Sequence, residues 1–116
     1  MRSLMSKTIV VLSVAIAMNA STSLAAARFQ GEWKVKDTAG KPFEITLSEN
    51  GTAKATRGEG MSGTWKEQGG AAIITWDTGW VTKIAKEGTR YKKTAFRKGQ
   101  RLDSAPANSS EAEKTD

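Results

Sequence analysis

Eight carboxylates lie between Arg28 and Arg101: Glu32, Asp37, Glu44, Glu49, Glu59, Glu67, Asp77 and Glu87. Acid–base catalysis would require two of them to converge in a cleft. Asp37, Glu49, Glu59, Asp77 and Glu87 instead fall in or beside glycine-containing turns, and Glu32 and Glu44 alternate away from the apolar positions. Asp77-Thr78-Gly79 shares its letters with the aspartic-protease triplet, but nothing supplies the second Asp of a dyad, and the segment reads as a hairpin loop. The chain has no His and no Cys. That removes neutral-pH proton shuttling by imidazole, His-dependent triads, thiolate nucleophiles and zinc sites built on either residue. No EF-hand-like run of carboxylates is present, and Gly58-Glu59-Gly60 lacks the Lys-Ser/Thr of a phosphate loop. The expectation is a protein that is not an enzyme and uses no metal or other cofactor.

What remains is chemistry suited to binding. Trp33, Trp65, Trp76, Trp80, Phe43 and Tyr91 fall on one expected face, and Trp76 and Trp80 flank a three-residue Asp77-Thr78-Gly79 loop. Such a face is either plain core or an aromatic mouth for an apolar molecule. Lys93 stands in the last expected hairpin, where either choice of register turns one lysine towards the core side. It reads as a snorkelling edge lysine or as a cationic hook for an anionic head group. The candidate ligand-binding set is therefore Trp76, Trp80, Trp65, Tyr91 and Lys93. A second candidate is an anionic-surface patch of Lys83, Lys86, Arg90, Lys92, Arg97 and Lys98, which doubles as protection for an exposed strand edge.

Charge is segregated along the chain. Residues 28–101 carry 15 basic and 8 acidic side chains, and residues 102–116 carry 1 and 4. A nucleic-acid partner would need the tryptophans outside, beside Lys83 and Lys92, and the expected register turns them in. The partner classes left are a small apolar or anionic ligand, or an exported protein.

The elements that must position these groups are strands. Thr38-Ala39-Gly40-Lys41-Pro42, Glu49-Asn50-Gly51, Gly58-Glu59-Gly60, Gly69-Gly70, Asp77-Thr78-Gly79 and Glu87-Gly88 punctuate runs of β-branched and aromatic residues, as in consecutive hairpins. Strands are expected near 31–36, 43–48, 52–57, 61–67, 71–76, 80–86 and 90–97. Loop chemistry fixes three registers: Leu47 with Ala53, Trp65 with Ile74, and Trp76 with Trp80. A slip of one residue in any of them would turn its aromatics outward. Glu87-Gly88 as a two-residue loop pairs Ile84 with Tyr91 and puts Tyr91, Lys93 and Ala95 inside; the other choice puts Lys92, Thr94 and Phe96 inside. The fold class is all-β, an up-and-down antiparallel meander of about seven or eight strands forming a small barrel. Gly31-Glu32-Trp33-Lys34 recurs as Gly63-Thr64-Trp65-Lys66, a faint internal repeat.

The ends of the chain read differently. Arg2 and Lys7, the apolar run from Thr8 to Ala20, and Ala25-Ala26-Ala27 have the layout of an export signal, with cleavage expected after Ala27 or Ala25. The run is shorter than the ~20 residues of a membrane span, so the protein is expected in the periplasm or secreted. The expected organisation is a signal peptide over 1–27, a barrel over 28–99 and a disordered polar tail over 100–116, because residues beyond Gly99 offer Leu102 as their one large apolar side chain.

Gly31-x-Trp33 on the first strand resembles the Gly-x-Trp signature of lipocalins and other calycins, in which the Trp plugs the closed end of an up-and-down barrel. Together with Ile45-Thr46-Leu47-Ser48-Glu49-Asn50-Gly51-Thr52 and Ile73-Ile74-Thr75-Trp76, the chain is similar over 31–97 to small exported bacterial lipocalin-like domains. The resemblance implies a non-catalytic binding protein for a small amphiphile or an envelope component. A second similarity is to exported bacterial metalloprotease inhibitors. These are eight-stranded barrels whose N-terminal segment, here Arg28-Phe29-Gln30, enters the protease cleft. A basic adaptor for anionic polymers is the third reading.

Overall fold

The computed structural model describes residues 24–116; the export segment expected over 1–27 lies outside them except for its last four residues. A short helix, α1 (Leu24–Phe29), precedes eight strands: β1 (Gly31–Lys36), β2 (Pro42–Leu47), β3 (Thr52–Ala55), β4 (Met61–Gln68), β5 (Ala71–Trp76), β6 (Val81–Glu87), β7 (Arg90–Phe96) and β8 (Asn108–Lys114). Each strand pairs antiparallel with the next, and β8 returns to β1 through Trp33–Lys114 and Lys34–Glu113, closing a barrel.

The turns explain the register. Gly51 (φ 91°) and Gly79 (φ 96°) occupy the left-handed position of three-residue loops, and Gly69-Gly70 (φ 63° and 83°) form a two-residue primed turn. They set Leu47 opposite Ala53, Trp65 opposite Ile74, and a Trp76 N–H to Trp80 carbonyl bond of 2.9 Å. Side chains then alternate. Ile45, Leu47, Ala53, Trp65, Ala72, Ile74, Trp76 and Ile84 are buried inside, while Glu32, Lys34, Lys54 and Lys66 face out.

The β6–β7 hairpin corrects the expected loop. Glu87 pairs with Arg90, so the loop is Gly88-Thr89, and Ile84 faces Lys93 rather than Tyr91. Gly88 (φ 67°) takes the first loop position, where a left-handed conformation is needed. The shift is two residues, so parity survives and Tyr91, Lys93 and Ala95 do point inward. Phe96 is buried as well, though its parity is outward and it stands apart from the main core cluster.

The expected disordered tail is also corrected. Residues 108–114 are the eighth strand, paired with β7 from Tyr91–Ala112 to Ala95–Asn108. Its one inward apolar residue is the buried Ala112. What holds it is a backbone ladder on both sides, which satisfies the edges that β1 and β7 would otherwise expose.

The barrel has two unlike ends. At one, where β1 begins, α1 caps the interior. Phe29 is 1% exposed, its ring centroid lies 6.2 Å from Trp33 and 6.0 Å from Tyr91, and Trp33 and Tyr91 meet edge-to-face at 5.0 Å. Trp33 Nε1 donates to the Phe29 carbonyl at 2.9 Å, so the indole is buried with its polar atom satisfied. The other end carries the 37–41, 56–60 and 77–80 turns and the 97–107 connection, and it is open.

Candidate functional site

The open end is built around the β5–β6 turn. Trp76 is 3% exposed, and its Nε1 donates to Thr82 Oγ1 at 2.8 Å, which orients the ring along the inner wall. Trp80, four residues on, is half-buried at the rim, with the Arg97 guanidinium 5.8 Å from its ring centroid, a cation–π distance. The aliphatic chain of Lys98 lies against Gly79, where a β-carbon would stand 2.7 Å from it.

Lys93 supplies the charge. It is 2% exposed, its Nζ donates to Asn108 Oδ1 at 2.8 Å, and it lies 5.8 Å from the Phe43 ring centroid. Asn108 is held in turn by its Nδ2 donating to Thr38 Oγ1 at 2.7 Å. Among the described residues, no carboxylate lies within 4 Å of the Lys93 ammonium, and Asn108 is its one hydrogen-bond acceptor. Burial pulls its pKa down from the ordinary lysine value to about 8; the Asp37 charge opposes that fall and Arg57 adds to it.

Asp37 is committed elsewhere. Its Oδ1 accepts from the backbone amides of Ala39 and Lys41 at 2.9 Å, and its Oδ2 lies 3.5 Å from Arg57 Nε. The Lys41 amide above all, then the Ala39 amide and Arg57, hold its carboxyl below the usual range. The cavity lining therefore holds two cations, Lys93 and Arg57, and one anion, Asp37, and the anion already has partners.

Between these groups lies a cavity of about 170 Å³, walled by Phe43, Met61, Trp76 and Trp80, with Lys93, Asn108 and Thr82 on its inner wall and Asp37 and Arg57 among the polar residues that also line it. Sites for drug-sized ligands run to about 300–1,000 Å³. A cavity of about 150 Å³ holds benzene. The space therefore matches a single ring or a short chain in size.

The candidate ligand set divides. Trp76, Trp80 and Lys93 line this cavity. Trp65 and Tyr91 share their inward parity but sit towards the capped end. Trp65 Nε1 donates to the Ser48 carbonyl at 2.8 Å, and Tyr91 packs on Phe29 and Trp33.

The candidate anionic-surface patch divides as well. Arg97 and Lys98 border the mouth. Arg90 pairs with Glu111 of β8, Lys92 lies 3.9 Å from Glu87 and faces Glu111 across the ladder, and Lys86 is exposed beside that hairpin. Lys83 is half-buried on the outer face between Ile73 and Thr94. The acidic C-terminal segment thus lies against the basic hairpin.

Sequence reasoning missed Asn108, Arg57, Thr82 and the role of Asp37. Asn108 lay in the segment read as tail, and Arg57 is one of many surface-type cations by pattern. The one legible cue was Asp37 ahead of Ala39-Gly40, a side chain suited to bonding its own turn. No protein-family model, curated protein or solved structure matches the chain.

Proposed function

We propose that this protein is an exported, lipocalin-like, non-catalytic binding protein for a small amphiphile with an anionic head. The head sits on Lys93, with Arg57 nearby, and the apolar body lies against Phe43, Trp76 and Trp80. The observation that carries the reading is a buried lysine with no carboxylate within 4 Å, its nearest one, Asp37, being paired with Arg57, in an aromatic cavity open to solvent. Burying an unpaired charge is costly, and an apolar side chain of the same length would serve the core better. A carboxylate ligand would supply the missing partner.

The protease-inhibitor reading is weakened by Phe29, whose ring is buried under Trp33 and Tyr91 rather than free to enter a cleft. The polymer reading is weakened by Glu87 and Glu111, which lie among the cations it would use.

Benzoate and benzyl alcohol, titrated separately against the protein by tryptophan fluorescence, test the proposal. A charge-assisted hydrogen bond is worth about 1.5–3 kcal/mol, so benzoate is expected to bind roughly tenfold tighter or better, and Lys93→Met to abolish the difference. Equal affinities in the unsubstituted protein would sink it.

A further inference from the structure

We infer that Lys93 is also a carbonyl-reactive amine, its Nζ forming a reversible imine with a small aldehyde held between Phe43, Trp76 and Trp80. This rests on the cavity being a ligand site, as proposed above. A lysine becomes a nucleophile when its surroundings disfavour the ammonium, and desolvation in an apolar pocket does so. Lys93 meets that condition by geometry: it is 2% exposed, Phe43 is beside it, and its sole acceptor among the described residues is the neutral amide of Asn108. It is the one lysine lining the cavity. The charged groups facing it are Asp37 and Arg57, from the 37–41 and 56–60 turns, and they pair with each other. The facing residues of β5, β6 and β8, Trp76, Thr82 and Asn108, are uncharged.

The chemistry balances within the site. The Nζ lone pair attacks the carbonyl carbon, the C–N bond forms, and the carbonyl π electrons move to oxygen. One proton passes from nitrogen to that oxygen, giving a carbinolamine. Loss of the hydroxyl as water, with the second amine proton, leaves the imine; amine and aldehyde become imine and water, and nothing is oxidised or reduced. Two side chains assist. Asn108 Oδ1 holds one N–H of Nζ and so restricts where the lone pair points. Thr82 Oγ1 accepts from Trp76 Nε1, which leaves its own O–H to donate to the developing alkoxide.

With a pKa near 8, about half of Lys93 is the free amine at pH 8, whereas an ordinary lysine at 10.5 is almost wholly protonated. The experiment is treatment of the full chain with benzaldehyde and cyanoborohydride at pH 8, followed by peptide mass mapping. The expected result is one benzyl addition, at Lys93, at least tenfold faster than at any other lysine. That preference should vanish when the protein is unfolded in urea, and Lys93→Met should show no fast addition. Labelling spread evenly over the surface lysines, or Lys93 left unmodified, would overturn the inference. If benzoate still binds in a Lys93-dependent way, only the imine falls. If Lys93 is labelled fast while benzoate does not bind, the imine stands and the anionic-head reading falls.

Discussion

Lys93, buried on β7, is hydrogen-bonded at 2.8 Å to Asn108, the first residue of β8. The partner is an amide where an ion pair would require a carboxylate. That substitution of dipole for charge leaves the barrel with an electrostatic need that a ligand can meet. It also makes the site depend on the last strand of the chain.

The first prediction exchanges that dipole for a charge. In Asn108→Asp the carboxylate would stand at the same position and supply a permanent counter-ion. The Lys93 pKa should rise above 8, and benzoate affinity should fall at least tenfold. Calorimetry of benzoate binding, with NMR titration of the Lys93 side chain, reads both. Undiminished affinity would show that the ligand does not use this cation.

A second prediction concerns pH. The folded pKa of Lys93 lies below its ordinary value, so between about pH 8 and pH 10.5 the unfolded chain holds a proton that the folded chain does not. Stability therefore increases with pH through that window; the burden of the buried ammonium is present in full below it and is relieved across it. Allowing for screening at the open mouth, the gain is on the order of 2 kcal/mol. Lys93→Met should remove it and be more stable than the parent at pH 7 by a similar amount. Urea unfolding of both proteins at pH 7, 9 and 10.5 isolates the effect as a difference, and a difference constant with pH would contradict it.

Trp80 separates binding from folding. It is half-buried at the rim, whereas Trp76 is enclosed. Trp80→Ala should weaken benzoate binding several-fold and cost about 1–3 kcal/mol of stability, since its ring is half-buried against the core rather than enclosed in it. Trp76→Ala, by contrast, should cost about 3–5 kcal/mol. Thermal unfolding alongside the ligand titration distinguishes them, and equal destabilisation by the two would place Trp80 in the core.

Gly63 is a packing requirement. A β-carbon there would lie 2.2 Å from the Thr75 carbonyl oxygen and 2.9 Å from the Trp76 α-carbon, both of them backbone atoms. Gly63→Ala must therefore push β4 and β5 apart under the Trp76 ring. Overpacking typically costs about 1–3 kcal/mol, and a lowered unfolding midpoint with weakened benzoate binding is expected. An unchanged midpoint would mean that the two strands have room to separate.

Three of the hairpins were legible because their instructions are local, whereas the loop of the β6–β7 hairpin was placed one residue early. Gly51, Gly69, Gly70 and Gly79 each occupy a left-handed turn position, and the apolar alternation on either side agrees with the pairing they impose. Period-2 reasoning assigns a side chain to a face, not to a height along the barrel axis. That is why Trp65 and Tyr91 were grouped with Trp76 and Lys93 yet lie towards the other end. β8 was illegible for a different reason. Asn-Ser-Ser-Glu-Ala-Glu-Lys carries no apolar stripe, and its strand conformation comes from the two edges that flank it. Asn108 and its bond to Lys93 were hidden with it.

Closure by the C-terminal strand sets an order of assembly. The seven earlier strands meet their neighbours across short turns, whereas β8 must find β1 from the far end of the chain: Thr115 bonds Glu32 across 83 positions. Closing so long a loop carries the larger entropic cost and slows folding. In a chain that is still folding, β1 to β7 can form first, leaving a curled open sheet with two bare edges and Lys93 lacking its acceptor. The candidate site and the protection against edge-to-edge association then arise in the same late event. A ligand that requires the Lys93–Asn108 pair would act as a folding latch, selecting chains whose last strand has docked.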